Sequence, residues 1–239
     1  MTTVERIRQR LEVNEIPASP ELAEKLDCWL RLLDSWNSRM DLTAVLEPEE
    51  MIDRHLIDSL TVLKTDLLEG AHTLIDVGTG AGFPGMALAL ACPEMRVTLL
   101  DSQQKRLDFL DAVCAETGAR NVTLAHDRAE DAGRKKEMRE QYDRAVARAV
   151  APLSVLCEYL LPFVKTDGRM LCWKGPALKD ELEAGRRAAH VLGGRLEMPV
   201  SCPVAGWDWD HRILPVRKTQ PTPRPYPRKA GVPKKTPLG

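Results

Sequence analysis

The chain has 239 residues, 44% of them hydrophobic and 29% charged, with a formal net charge of −1. That is apolar material for one substantial core, organised as one domain with an appendage, and no apolar run approaches the ~20 residues of a membrane-spanning helix. The opening residues MTTVERIRQRLEV hold no apolar signal-peptide core, so a cytoplasmic protein without membrane attachment is expected.

Leu22, Leu26, Trp29, Leu30, Leu33 and Trp36 recur at helical spacing, with Ser19 as N-cap and Pro20 at the first helical position. A second helix is expected from near Pro48, its stripe being Ile52, Leu56, Leu60 and Leu63. Residues 1–70 thus read as a small helical unit without a strand. From His72 the pattern changes to short β-rich runs alternating with helical segments, the signature of a mostly parallel sheet with helices on both faces. The expected strands are 73–77, 96–101, 122–126, 143–150 and 169–174. The helices between and after them are 84–91, 103–117, 131–141, 154–163 and 177–192. Two further runs, "RLEMPVSCPV" and "HRILPVRK", suggest a hairpin through the turn 206–210, which completes a seven-stranded sheet. The α/β body spans 71–218, and a Pro-rich tail 219–239 follows. The six cysteines form no C-x-x-C pair and have no histidine at ligand spacing, so no metal site is expected and the thiols are read as reduced and mostly buried.

The stretch Asp76–Gly85, "DVGTGAGFPG", follows an apolar strand and opens a helix, where doubly wound folds bind ligands. Counted from Gly78 it is G-x-G-x-G, a loop suited to the methionine end of S-adenosyl-L-methionine. Counted from Gly80 it is G-x-G-x-x-G, the dinucleotide fingerprint. Asp101, ending the next strand, suits a ribose acceptor in either case, or else caps the helix that follows.

Arg148 ends an apolar strand and needs an anionic partner there: a ligand, or Asp76, Asp143 or a helix carboxylate. His55, in "RHLIDS", lies a turn from Asp58 and is either a cleft residue or a half-buried structural histidine bonded to that carboxylate. Lys174 stands at a strand's carboxyl end, available to RNA phosphate or base, or simply solvated. The mixed run Arg134–Glu140 reads as a solvated face. From Arg212 to Gly239 there are eight Lys or Arg and no acidic residue, which points to a polyanionic partner. Arg224, Arg228 and Lys229 would neutralise phosphates and Tyr226 would stack on an unpaired base, unless the tail is a disordered solubilising terminus. Its prolines argue against a regular helix.

"DVGTGAGFPGMALA", "LLDSQQKRLDFL", "HDRAED", "ARAVAPL" and "CWKG" stand in order, flanked by "WNSRMDLTAV", "RHLIDSL" and "YPRKAGVPKKTPLG". In these blocks the chain resembles the RsmG (GidB) family, bacterial 16S ribosomal RNA guanine-N7 methyltransferases. It departs at Asp41, where that family usually has Asn, and at Val150, where an aromatic is frequent. The resemblance implies a Rossmann-like class I methyltransferase, a cytoplasmic rRNA-processing enzyme. It implies S-adenosyl-L-methionine held by Gly78, Gly80, Gly82, Phe83, Asp101, Ala129, Glu130 and Arg148, with Arg148 also at the transfer site. Gly85 would then serve helix packing. The implied substrate is guanine 527 of 16S rRNA, free or in the small ribosomal subunit, contacted by His55, Lys174, Arg224, Tyr226, Arg228 and Lys229. A monomer needing no metal is expected. "ARAVAPL" holds no Asn-Pro-Pro-Tyr type motif, which disfavours attack by an exocyclic amine, whereas N7 needs no general base. The rivals are a nicotinamide-dependent oxidoreductase, using the second counting of the glycines, and a noncatalytic RNA-binding assembly protein.

Overall fold

Thr2 and Glu5 start the first helix reciprocally: the Glu5 amide donates to the Thr2 hydroxyl and the Thr2 amide to the Glu5 carboxylate. The computed structural model describes residues 1–40, 42–43, 47–148 and 150–239. Asp41, Ala44 and Val45 of "WNSRMDLTAV" and Ala149 of "ARAV" lie outside the described residues.

Helix α1 (Thr3–Val13) packs on α2 (Leu22–Met40). Ser19 does not cap α2; its carbonyl accepts from the Leu22 amide in a preceding turn. The expected helix from Pro48 is broken into α3 (Pro48–Met51), a π-helical turn (Ile52–Ile57), α4 (Asp58–Leu60) and a 3-10 turn (Thr61–Lys64). No strand occurs among the described residues before Thr73.

The sheet follows. Strand β1 (Thr73–Val77) leads to α5 (Gly85–Ala91), and β2 (Arg96–Asp101) to α6 (Gln104–Thr117), which ends on left-handed Gly118. Strand β3 (Val122–His126) leads to α7 (Ala129–Ala132), β4 (Tyr142–Arg148) to α8 (Leu153–Leu160), and β5 (Val164–Lys174) to α9 (Leu178–Val191). Short strands β6 (Gly194–Leu196) and β7 (Val200–Ser201) precede β8 (Arg212–Lys218) and α10 (Val232–Lys235). The spatial order is β3-β2-β1-β4-β5-β8-β6, parallel from β3 to β5, with β8 antiparallel to β5. Both β6 and β7 pair with the far side of β8, so the expected seventh strand is interrupted, with Pro199 between its halves.

The helix expected at 131–141 is not formed. The chain leaves α7 in turns, and the run from Arg134 has too few apolar side chains to bury a helical face. One hydrophobic cluster joins α1, α2 and the 48–68 segment to one face of the sheet, through Trp29, Leu33, Phe83 and Phe109 among others. The other face is packed by α8 and α9. The helical unit therefore shares the core of the sheet. All six thiols are free, and Cys157, Cys172 and Cys202 are buried. Among the described residues no helix is long and apolar enough to cross a membrane.

The tail also differs from expectation. Pro233 sits in the first turn of α10, where its missing N–H is harmless. The segment lies folded on the body: Arg139 donates to the Thr222 and Tyr226 carbonyls at 2.7 and 2.8 Å, and Arg134 to Pro225 at 2.9 Å.

Candidate functional site

Strand order reverses at β1, flanked by β2 on one side and β4 on the other. Such a switch point opens a crevice at the carboxyl ends of the strands, and here it is a cleft of about 540 Å³, within the size range of small-ligand sites. Gly78, Gly80 and Phe83 after β1, Asp101 ending β2, Ala129 and Glu130 of α7, Arg148 ending β4 and His55 all line it.

The glycines divide by role. Gly78 (φ 74°) and Gly80 (φ 59°) are both left-handed. A Cβ on Gly80 would meet nothing within 4 Å, so its backbone is bare toward the cleft. Gly82 (φ 104°), expected on the cofactor, is not in the lining: a Cβ there would lie 2.8–2.9 Å from Leu110, Met86 and Trp29. It allows the helical unit to seat against the loop. Gly85 lets α5 approach β1, since its Cβ would fall 2.6 Å from Asp76 and Leu99 side-chain carbons.

Two carboxylates brace the loop. Asp101, 3% exposed, accepts from the Gly80 amide (3.0 Å) and the Gln103 amide (2.9 Å), so it ties the loop to the entry of α6 while facing the cleft. Asp76 accepts from Thr79 Oγ1 (2.8 Å) and the Gly85 amide (2.9 Å) with one oxygen; the other is buried and unpartnered. Burial pushes the Asp76 carboxyl up to about 6, against those hydrogen bonds.

One wall is Arg148 with its neighbours. In an α-helix the Arg54 carbonyl would accept the Asp58 amide, but across the π-turn that amide donates to Asp53. The freed Arg54 carbonyl accepts from Arg148 Nη1 at 2.7 Å. The same guanidinium donates to Asp58 Oδ2 (2.9 Å) and reaches His55 Nδ1 (3.2 Å). Among the foreseen partners of Arg148, the helix carboxylate is therefore the one found. Asp58 does not bond the His55 ring; its second oxygen is 2.8 Å from His211 Nδ1. Because arginine only donates, Nδ1 of His55 accepts and Nε2–H donates to Thr43 Oγ1 (2.8 Å). Burial first, and the Arg148 charge second, pull His55 down to about 4, so the ring is neutral near pH 7. It stacks on Phe83 at 4.7 Å, and Phe83 stacks on Trp29 at 4.3 Å.

The opposite wall comes from the tail. The Gly231 amide donates to Glu130 Oε1 (2.8 Å), and Gly231 and Lys234 join the lining. Arg228 is not free for phosphate: its backbone and guanidinium hold Glu158, 0% exposed, at 2.6–3.1 Å. Tyr226 is half-buried against the core, while Arg224 and Lys229 are exposed. Lys174 is outside the main cleft and is not a solvated lysine; it donates to Glu181 (2.6 Å) and lines a second cavity of about 260 Å³ with Asp58, Arg148, Trp173 and His211. Sequence reasoning missed Thr43, His211, Gly231 and Lys234. Each reaches the site from far along the chain, and no local spacing marks it.

A family model described as rRNA small subunit methyltransferase G matches residues 22–205. The chain is 47% identical over 207 residues to the ribosomal RNA small subunit methyltransferase G of Alkaliphilus oremlandii, covering 87% of each. It is 43% identical over 215 residues to the protein of that name from Clostridium perfringens, covering 90% of each. Among solved structures, the 16S rRNA (adenine(1408)-N(1))-methyltransferase of Catenulisporales acidiphilia superposes with a TM-score of 0.51 at 17% identity, over 63% of this chain and 89% of that one. The YcgJ protein of Bacillus subtilis does so with a TM-score of 0.52 at 13% identity, over 68% and 98%. These structural likenesses concern the fold, a class I methyltransferase architecture.

Proposed function

From the premise that the chain belongs to the rRNA small subunit methyltransferase G family, we propose that it methylates N7 of a guanine in 16S rRNA, nucleotide 527 by resemblance, with S-adenosyl-L-methionine as donor. The cleft suits that donor. Gly80 leaves backbone bare for its methionine end and Gly78 turns the chain beside it, Asp101 has lone pairs for ribose hydroxyls, and Ala129 with Glu130 flank the adenine side. Bound there, the donor supplies a sulfonium-activated methyl group open to in-line displacement.

The observation that carries N7 is the state of the acids and bases along the wall. His55 is neutral, with one ring nitrogen engaged by Arg148 and the other by Thr43. Asp101 is tied to Gly80 and Gln103, Glu130 to Gly231, and Asp127 to Lys135. An exocyclic amine must lose a proton during methylation, whereas the N7 lone pair has none to lose. The chain's contribution is then positioning and exclusion of water, with Arg148 fixed by Asp58, His55 and the Arg54 carbonyl rather than left to search. Assembly without transfer would bind RNA and leave it unmodified.

Incubation with tritiated S-adenosyl-L-methionine and either naked 16S rRNA or intact small subunits, followed by mapping of the label, tests this. Label at N7 of one guanine is expected. No incorporation into either substrate, or label on an exocyclic amine, would sink the reading.

A further inference from the structure

Between β7 and β8 the chain runs Trp207-Asp208-Trp209-Asp210-His211, and nothing in the transfer site uses the two tryptophans. Their rings stack with centroids 4.4 Å apart, and Trp209 stacks in turn on His211 at 5.2 Å. The Arg54 guanidinium lies over Trp209, 4.7 Å from its centroid. Trp207 is 38% exposed, although burying an indole would have stabilised the fold. It is nonetheless held in place: Nε1 donates to Asp53 Oδ2 (2.7 Å), and Arg10 holds the other Asp53 oxygen (2.7 Å).

The inner end of this stack reaches the proposed transfer site. His211 shares Asp58 with Arg148, and both line the second cavity, which adjoins the main cleft through Arg148. Trp209 and His211 are half-buried behind Trp207, with Trp209 packed against the core, so the exposed Trp207 ends a pre-ordered stack and its outer face fits a flat π-system. The intervening carboxylates fit the same reading. Asp210 is paired with Arg212 (2.8 Å) and Asp208 is exposed, so the loop repels phosphate while the Trp207 ring remains available.

We propose that the Trp207–Trp209–His211 row is a stacking platform for an unpaired base of the RNA substrate, beside the nucleotide that enters the cleft. This rests on the RNA methyl-transfer reading above. Because every base presents a π-face, the platform sets affinity and register and leaves base identity to the cleft.

The test uses the full chain with Trp209→Ala, Trp207→Ala and the ring-preserving Trp209→Phe. Binding of naked 16S rRNA is followed by filter retention, donor binding by calorimetry, and transfer by label incorporation. Trp207→Ala is expected to raise the RNA Kd and KM by roughly tenfold, as loss of one stacked base would, with kcat and donor Kd held within about twofold. Trp209→Ala, which removes the ring that props Trp207, should act in the same direction, and Trp209→Phe should restore most of the affinity. Unchanged RNA Kd and KM in both alanine variants, with the wild type active, would overturn the platform. So would a defect seen only with assembled subunits, which would assign the face to a ribosomal protein. A wild type that binds RNA through these tryptophans yet transfers no methyl group would support the platform and sink methyl transfer instead.

Discussion

The floor of the cleft comes from residues 77–81 with Phe83, and from Leu100 and Asp101 on the next strand, whereas its walls come from Thr43, His55 and Arg148 on one side and Gly231 with Lys234 on the other. The floor is shaped by backbone: left-handed Gly78 and Gly80, and a carboxylate that accepts the Gly80 amide. The walls are held by side-chain charge across great sequence distance, Arg148 on Asp58 and Arg228 on buried Glu158. A backbone device survives most substitutions nearby. A wall pinned by one buried pair fails when either partner is removed, because the survivor is left desolvated.

Arg148→Ala should produce the largest effect. It strips Asp58 of its cation and the Arg54 carbonyl of its donor, at about 3 kcal/mol of stability, and methyl transfer should fall by more than about 100-fold. Arg148→Lys should not rescue it, since one ammonium cannot serve Asp58, His55 and the Arg54 carbonyl in a fixed plane. Urea unfolding and kcat measured together check this; wild-type kcat in either variant would remove Arg148 from the transfer site.

Arg228→Ala tests the other wall. Glu158 would be left buried without its partner, so the tail should loosen and limited proteolysis should cut it. Donor Kd should rise by about tenfold as Gly231 and Lys234 leave the lining. An unchanged Kd with a cleaved tail would mean that the floor binds the donor unaided.

The floor itself can be divided by its glycines. Gly80→Ala meets open space but keeps a left-handed backbone, so it should cost about 1 kcal/mol of stability and weaken donor binding. Gly82→Ala strikes Trp29, Leu110 and Met86 and should destabilise the fold more, by about 2 kcal/mol. If Gly82→Ala instead lowered donor affinity at unchanged Tm, its assignment to packing would be wrong.

The same division explains what the sequence disclosed. Strands β1, β2 and β3 fall where their β-rich runs put them, because each is a short segment bounded by its own turn chemistry. The glycine loop and Asp101 could be placed for the same reason. The run Arg134–Glu140 read as a solvated helix, yet Arg139 is half-buried under the tail, holding its carbonyls. Arg228 read as a phosphate ligand and holds Glu158 instead. Composition reports a charge and not its partner, and here the partner lies 70 residues away. The π-turn at Ile52–Ile57 was hidden too, since its apolar residues also satisfy α-helical spacing.

The smallest effect comes from setting floor against wall by pH. His55, in the wall, titrates at about 4 instead of 6.5, so its contribution is full above pH 6.5 and is lost as pH falls toward 4. Asp76, in the floor, titrates at about 6 instead of 3.8, so its contribution is full below pH 3.8 and is lost as pH rises through 6. At about 1.4 kcal/mol per unit each amounts to about 3 kcal/mol. The windows overlap and the slopes oppose, so between pH 4 and 6 the pair changes wild-type stability by less than about 1 kcal/mol. His55→Asn removes the rising slope, and that variant should lose stability from pH 4 to 6 relative to the wild type. Asp76→Asn keeps an acceptor for Thr79 and the Gly85 amide while removing the falling slope, and should gain stability over the same range. Urea midpoints at pH 4, 5 and 6 distinguish them. Two variants whose midpoints ran parallel to the wild type would mean that neither burial is as strong as the geometry requires.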